Sequence, residues 1–396
     1  MSYRLLAAVS VYWFGLSMLL DGLTALYLPH ELLARADGRG SATLLGLITF
    51  GGIFLGMAAQ PLAGTLSDRG WADRRALMTA GGGLAVLGLL LMGIGGGLTL
   101  LAGYLLAIVA ANVGQAGQQA LVPDRVPHTW RGRAAGVKGL LDVAGASASF
   151  VLLAALLGAG QRTGALVLLA ACLLGTLAAA LALLPRDAAP HAQAPARIPV
   201  LFGRILAARF LFLLGIYMVG RFLVLFVADR LGLGADAAAA QAGLVLAMLA
   251  LLSAVASIPA GWAADRFGRR ATMVGGAAVG ATGIALLAIA GDAAGILLFG
   301  GLMAIGSSAF GAGSWALLTD VTPGSDAGRL MGIANVATAG AAGVAGLAGP
   351  MIDTANAIRP GAGFVALLAL SAVCALAGGR LSLGLGVDER RQLDAA

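Results

Sequence analysis

The chain has little charge, little sulfur and almost no lysine, and each shortage excludes something. Of its 396 residues 11% are charged and 60% hydrophobic, whereas a soluble globular domain carries roughly 25% charged residues. With a mean hydropathy of +0.94, an ordinary water-soluble fold is excluded and a bilayer is the expected solvent. Lys138 is the sole lysine and lies inside an apolar run, so there is no Gly-x-x-x-x-Gly-Lys-Ser/Thr loop and no ATP-driven pump. His30, His128 and His191 read as loop residues in no His-Glu-x-x-His spacing. A metal-dependent hydrolase is therefore not expected, nor any metal, cofactor or catalytic residue. Cys172 and Cys374 fall in apolar runs and read as small packing residues rather than a disulfide.

What is present is a series of apolar stretches of about 20 residues, the length that crosses a hydrocarbon core of roughly 30 Å. Twelve occur, near 5–28, 42–63, 76–98, 99–122, 134–160, 163–184, 201–228, 237–260, 271–290, 293–318, 330–352 and 361–384. The first resembles a signal peptide, but its run is too long, contains Asp21 and lacks a small-x-small cleavage site. A polar segment with four prolines, Pro185 to Pro199, reads as a linker. The expected fold is an all-α integral membrane protein, with twelve transmembrane helices in two pseudo-symmetric six-helix bundles. Its parts are a first bundle over 1–184, a cytoplasmic linker over 185–200, and a second bundle with a short cytoplasmic tail over 201–396. The net charge of +7 is spread over short loops rather than gathered in a stripe, which argues against a nucleic-acid partner. With the amino terminus inside, 17 arginines fall on cytoplasmic segments and 5 on outer loops, which places both termini in the cytoplasm. A monomer in the cell inner membrane is the expected state.

The two halves repeat. Ala120-Leu121-Val122-Pro123-Asp124-Arg125-Val126-Pro127, closing at Gly132-Arg133, returns 196 residues later as Ala316-Leu317-Leu318-Thr319-Asp320-Val321-Thr322-Pro323, closing at Gly328-Arg329. Gly64-Thr65-Leu66-Ser67-Asp68-Arg69 returns as Gly261-Trp262-Ala263-Ala264-Asp265-Arg266, and both runs end in a pair of arginines. The second copy is followed by Phe267-Gly268-Arg269-Arg270, the first by Gly70-Trp71-Ala72-Asp73-Arg74-Arg75, with one extra residue and an added acid.

Twelve helices, a duplicated six-helix plan, a central linker and Gly-x-x-x-Asp-Arg loops after helices 2 and 8 resemble the major facilitator superfamily over essentially the whole chain. The loop Asp124 to Arg133 is similar to that of sugar-porter-like members, and Trp315 to Asp320 is similar to the glycoside and sucrose carriers. The resemblance implies cytoplasmic latches built from Gly64, Asp68, Arg69, Asp124, Arg131 and Arg133 in the first half. In the second half it implies Gly261, Asp265, Arg266, Arg269, Arg270, Asp320 and Arg329. Asp124 and Asp320 are the expected partners of the loop arginines; the plain alternative is that these arginines only orient the protein.

Charges inside apolar runs need a partner, water or a function, at a cost of about 2.5–3.5 kcal/mol each at a helix centre. Asp21, Lys138, Asp142 and Arg221 are such charges and the coupling candidates. Asp21 and Arg221 occupy related positions, 200 residues apart; the resemblance places helices 1 and 7 on a central cavity, where the two would meet. Lys138 precedes Asp142 by one helical turn on the same face, unless it reaches back to the cytoplasm. A carboxylate that alternates between a basic neighbour and a proton suits proton coupling. Tyr104, Asn112, Gln115 and Gln119 share one broad face of helix 4, with Gln118 beside it. Together with Tyr217 and Trp315 as an aromatic wall, they are the substrate-binding candidates; the alternative is interhelical hydrogen bonding. The reading is a secondary active transporter, a symporter moving a small polar organic solute with protons. A drug or metabolite exporter, or a non-transporting assembly factor or receptor with the same fold, is the rival; the exporter's glycine- and proline-containing helix-5 pattern is missing from Gly145 to Phe150.

Overall fold

The computed structural model describes residues 3–35, 40–127, 130–184, 200–320 and 327–385. Every regular element among them is helical, because apolar solvent offers the backbone no hydrogen-bond partners outside its own helix. Helix α1 begins as Tyr3–Ala8, breaks at Val9 and Ser10, and continues as Val11–Gly22, a π turn Leu23–Tyr27 and Leu28–Arg35. The wide turn lies just before Pro29, whose missing N–H and bulky ring do not fit a regular helical turn. The first half continues as α2 (Ser41–Asp68), α3 (Arg74–Gly93), α4 (Gly97–Arg125), α5 (Arg131–Gly158) and α6 (Arg162–Leu183). The second half is α7 (Val200–Leu231), α8 (Ala235–Phe267), α9 (Arg269–Leu287), α10 (Ala293–Asp320), α11 and α12 (Ala362–Leu383). Eleven of these helices are long and apolar enough to cross a membrane. The run expected over 330–352 is α11, which passes from Ala327–Ala345 through a 3₁₀ turn, Gly346–Ala348, into Gly349–Ile358. Residues 185–199 of the expected linker lie outside the described residues.

Contacts divide the chain into two compact units: Met1–Arg35 with Gly51–Ala194 and Gly234–Ala247, and Ala36–Phe50 with Pro195–Leu233 and Met248–Ala396. Each unit thus consists largely of one half plus the opening turns of a helix from the other. In the first unit α8 begins against α5, where a Cβ on Gly243 would stand 2.7 Å from the Phe150 carbonyl oxygen. In the second, α2 begins against α11: a side chain at Gly46 would run into the Gly346 carbonyl, and the Thr43 N–H donates to Asp353 Oδ2 at 2.7 Å.

Inside the units the same pairs recur. In the first, α1 packs on α5 and α6, and α3 on α4 and α6; in the second, α7 packs on α11 and α12, and α9 on α10 and α12. The tightest crossings are made by glycine. A Cβ on Gly81 of α3 would lie 2.6 Å from the Ala110 carbonyl oxygen of α4, and one on Gly88 2.6 Å from that of Gly103. The second copy repeats both, with Gly276 and Gly283 of α9 each 2.7 Å from a carbonyl oxygen of α10, those of Gly306 and Phe299. Helices in lipid gain nothing from hiding apolar surface from one another, so close backbone approach through small residues supplies the attraction.

Gly81→Val is therefore expected to force α3 and α4 apart and cost about 1–3 kcal/mol or more, read as a lower melting temperature of the purified protein in detergent. Gly83→Val, on the same helix but with nothing within 4 Å of its Cβ position, should melt like the parent; equal losses would mean that helix propensity, not the crossing, is responsible.

Candidate functional site

The polar residues of α1 form a stripe at helical spacing: Trp13, Ser17 and Asp21. Trp13 and Ser17 face Lys138 and Asp142 of α5. Lys138 Nζ donates to Asp142 Oδ2 at 2.8 Å, Ser17 Oγ donates to Asp142 Oδ1 at 2.7 Å, and the ammonium lies 4.0 Å from the centre of the Trp13 ring. Lys138 thus folds along α5 toward Asp142 rather than back to the helix start. The crossing is close because Gly145 of α5 sits on the Phe14 carbonyl, and the Ser149 hydroxyl donates to Met18 O at 2.9 Å. The side chains of Lys138 and Asp142 keep 35% and 31% of their exposure, so the pair is only partly enclosed by protein. Asp21, one turn beyond Ser17, is exposed. Arg221 belongs to the other unit, where it is buried and its Nη2 donates to Ala342 O at 3.2 Å.

The amide face of α4 is largely engaged within the first unit. Gln118 is fully buried and its Nε2 donates to Val9 O at 2.6 Å. That carbonyl is available because α1 breaks there and the Trp13 N–H bonds Ser10 O instead. Asn112 donates to Ile108 O of its own helix at 2.9 Å and fills the space beside Gly56, where a Cβ would approach it to 2.6 Å. Gln119 accepts from Gln60 at 2.8 Å. Tyr104 is buried with its hydroxyl 3.3 Å from that of Thr24, and Gln115 is half-buried.

The second unit holds a cluster that sequence reasoning left aside. Arg209 of α7 is 5% exposed; its Nη1 donates to Ser314 Oγ of α10 at 2.6 Å, and its guanidinium carbon lies 4.5 Å from the centre of the Trp315 ring. Trp315 is 37% exposed. Tyr217, half-buried, lies two turns further along α7.

The loop charges organise by unit. Arg74 Nε donates to Asp124 Oδ2 at 3.1 Å with both side chains nearly buried, and Arg75 donates to Leu184 O at 2.9 Å. They line a cavity of about 170 Å³ together with Ser67, Asp73 and Arg125. The second copy pairs Arg269 with Asp320 at the surface, 33% and 41% exposed. Arg74 therefore plays the part of Arg269 despite the inserted residue. The added acid is Asp73, which caps α3 by accepting from the Ala76 N–H; at the corresponding place α9 starts from Gly268 at φ 90°, a backbone that favours glycine. Arg69, Asp265 and Arg270 are exposed. Arg133 stacks on Trp130 at 4.5 Å and Arg266 on Trp262 at 5.3 Å. Gly64 and Gly261 meet nothing within 4 Å. The side chains of Asp68, Arg131 and Arg329 lie outside the described residues.

His30 is not a loop residue as expected. It lies on the last segment of α1, fully buried, with Nε2 2.7 Å from Asp236 Oδ1 at the start of α8. Glu31 beside it accepts from Arg35 at 2.8 Å and faces Arg162 at 3.6 Å. The helix continues past Pro29 through the π turn that precedes it. His128 and His191 lie outside the described residues.

A duplicated all-helical protein with ion-paired loops and long apolar helices has the architecture of a membrane transporter. The chain belongs to the Major Facilitator Superfamily, whose family model matches residues 5–239 and 205–391, a family of membrane transporters rather than enzymes. It is 34% identical over 136 residues to the inner membrane transport protein YajR of Escherichia coli (strain K12). That stretch spans 34% of this chain and only 30% of YajR. Its fold is similar to that of a bacterial homologue of the human lysosomal transporter Spinster in an inward-facing, occupied conformation, at TM-score 0.78 and 14% identity over 97% of this chain and 96% of that one. It is also similar to the nucleoside transporter NupG, at TM-score 0.69 and 12% identity over 96% and 99%.

The two copies of the loop ion pair should differ in strength. Asp124→Asn removes a charged acceptor from the nearly buried Arg74 and is expected to cost about 1.5–3 kcal/mol, whereas Asp320→Asn removes a surface pair worth about 0–1 kcal/mol. Thermal or denaturant unfolding of the purified protein measures both; equal losses would show that burial does not distinguish them.

Proposed function

We propose that the protein is a secondary active transporter of the cytoplasmic membrane, with both termini inside, that moves a small polar organic solute by alternating access and couples it to protons at Asp142. The observation that carries this reading is the cluster at the α1–α5 crossing. There one carboxylate receives an ammonium and a hydroxyl at 2.8 and 2.7 Å while remaining partly open. As an anion Asp142 holds both donors and joins the two helices. Once protonated it no longer balances Lys138, whose remaining support is the Trp13 ring, so the α1–α5 contact is weakened by the arrival of one proton. A charge-dependent contact between packed helices is what a coupled carrier needs, because binding can shift a conformational equilibrium only through interactions that differ between its states. Gly64 and Gly261, with open space at their Cβ positions, lie on the loop-bearing ends of α2 and α8 that the reading assigns to the cytoplasmic latches. The greater number of arginines on these ends supports the orientation.

Asp142→Asn keeps the size of the side chain, removes its charge and its ability to take up a proton, and leaves one acceptor oxygen where there were two. In proteoliposomes with an imposed proton gradient, offered labelled sugars, nucleosides and carboxylates, the variant is expected to lose accumulation of whichever solute the parent concentrates. It should retain exchange of that solute across the membrane, since exchange moves no net proton. Normal uphill accumulation by the variant would remove Asp142 from the coupling role.

A further inference from the structure

Among the described residues, Arg209 is a buried guanidinium whose charge no acid matches. No carboxylate lies within ion-pair distance of it among the described residues. Its Nη1 donates to Ser314 Oγ, its face rests on Trp315, and its buried Nε has no acceptor. The Ser314 hydroxyl donates onward to Gly311 O at 3.0 Å, so the serine presents a lone pair to the arginine and offers no charge. Arg209 stands nine residues beyond Val200, roughly 14 Å along α7 at 1.5 Å per residue, inside a stretch apolar and long enough to cross a membrane. An arginine at such depth is retained at a cost. A ring face and a hydroxyl lessen that cost, yet a planar fork of five donors is suited to a two-oxygen acceptor.

We propose that Arg209, Ser314 and Trp315 form a binding site for the oxyanion of an organic anion, with the guanidinium taking the carboxylate or phosphoryl oxygens and the exposed part of the Trp315 ring covering the apolar body. All three residues belong to the second unit. Tyr217, further along α7, extends the aromatic lining. The inference rests on the transporter reading only in calling the ligand a solute; binding itself needs no transport. It narrows the small polar solute to one that carries a negative group.

The test is a melting-temperature shift of the full chain in detergent with benzoate, phenylphosphonate or benzamide, three ligands that share a ring and differ in the head group. Benzoate or phenylphosphonate is expected to stabilise the parent, and which of the two acts decides between a carboxylate and a phosphoryl group. Benzamide should not, and the shift should vanish in Arg209→Gln and shrink in Trp315→Leu. Without ligand, Arg209→Met should melt higher than the parent by about 3 °C or more, since it removes an unmatched buried charge; a purely structural arginine would make this variant melt lower. The proposal is overturned if neither anion shifts the parent, if benzamide acts as well as the anions, if the shift survives in Arg209→Gln, or if Arg209→Met is the less stable protein. Uptake of a solute that is unaffected in Arg209→Gln would sink this site and leave the transporter intact. Anion binding without any uptake would do the reverse.

Discussion

Lipid offers no hydrogen bonds, and that constraint sorts every polar side chain of this molecule. A helix satisfies its own backbone, so a partner is needed only where the helix breaks or where a side chain brings its own polarity. Gln118 answers the break in α1 at Val9, Asn112 turns onto its own helix, and Gln119 meets Gln60. Lys138 is matched three times, by a carboxylate, by a ring face and by the partial opening of its surroundings. Arg209 is matched by a hydroxyl and a ring but by no negative charge, which separates it from the residues whose polarity is already answered inside the protein.

The same solvent explains what the duplication kept. Because helices in lipid are drawn together by close contact, the glycines at the α3–α4 crossing return at the α9–α10 crossing, 195 positions later. The chemistry at matching places differs. One loop ion pair is nearly buried and its copy is exposed; one helix starts on a capping aspartate and its copy on a left-handed glycine. Backbone geometry is held by packing, while the polar groups had freedom to take separate roles in the two units.

These differences set the limit of what the sequence could show. The apolar runs gave the spans, the repeated loops gave the two halves, and the one-turn spacing of Lys138 and Asp142 gave their pair, since each signal is local. Ser17 and Trp13 completed that pair only once α1 was seen to cross α5, although the Trp13, Ser17, Asp21 stripe was visible as a period of four. Gln118 looked like one more amide of a binding face; its role depends on a break at Val9 and Ser10 that no proline or glycine announces. His30 looked like a loop residue because the first apolar run ends near 28, and the π turn that carries the helix on past Pro29 has no sequence signature. Arg209 lies within an apolar run but was not among the candidates, and only the lack of an acid beside it among the described residues sets it apart.

The two proposals constrain each other through charge. A neutral solute carried with one proton moves one positive charge and responds to the membrane potential by about 2.3 kcal/mol per 100 mV. An anion carried with one proton moves none, so its accumulation follows the pH difference alone. In the first unit Asp142 is already balanced by Lys138, and a proton arriving there leaves one positive charge in excess. In the second unit Arg209 carries a standing positive charge that an anion would neutralise. Counted over Asp142, Lys138, Arg209 and a monovalent anion, the proton alone would raise the standing positive charge, the anion alone would cancel it, and both together would leave it unchanged. On the two proposals, the bound anion would offset the charge that the proton brings, an electrostatic preference for the proton to arrive with or after the solute that needs no direct contact between them.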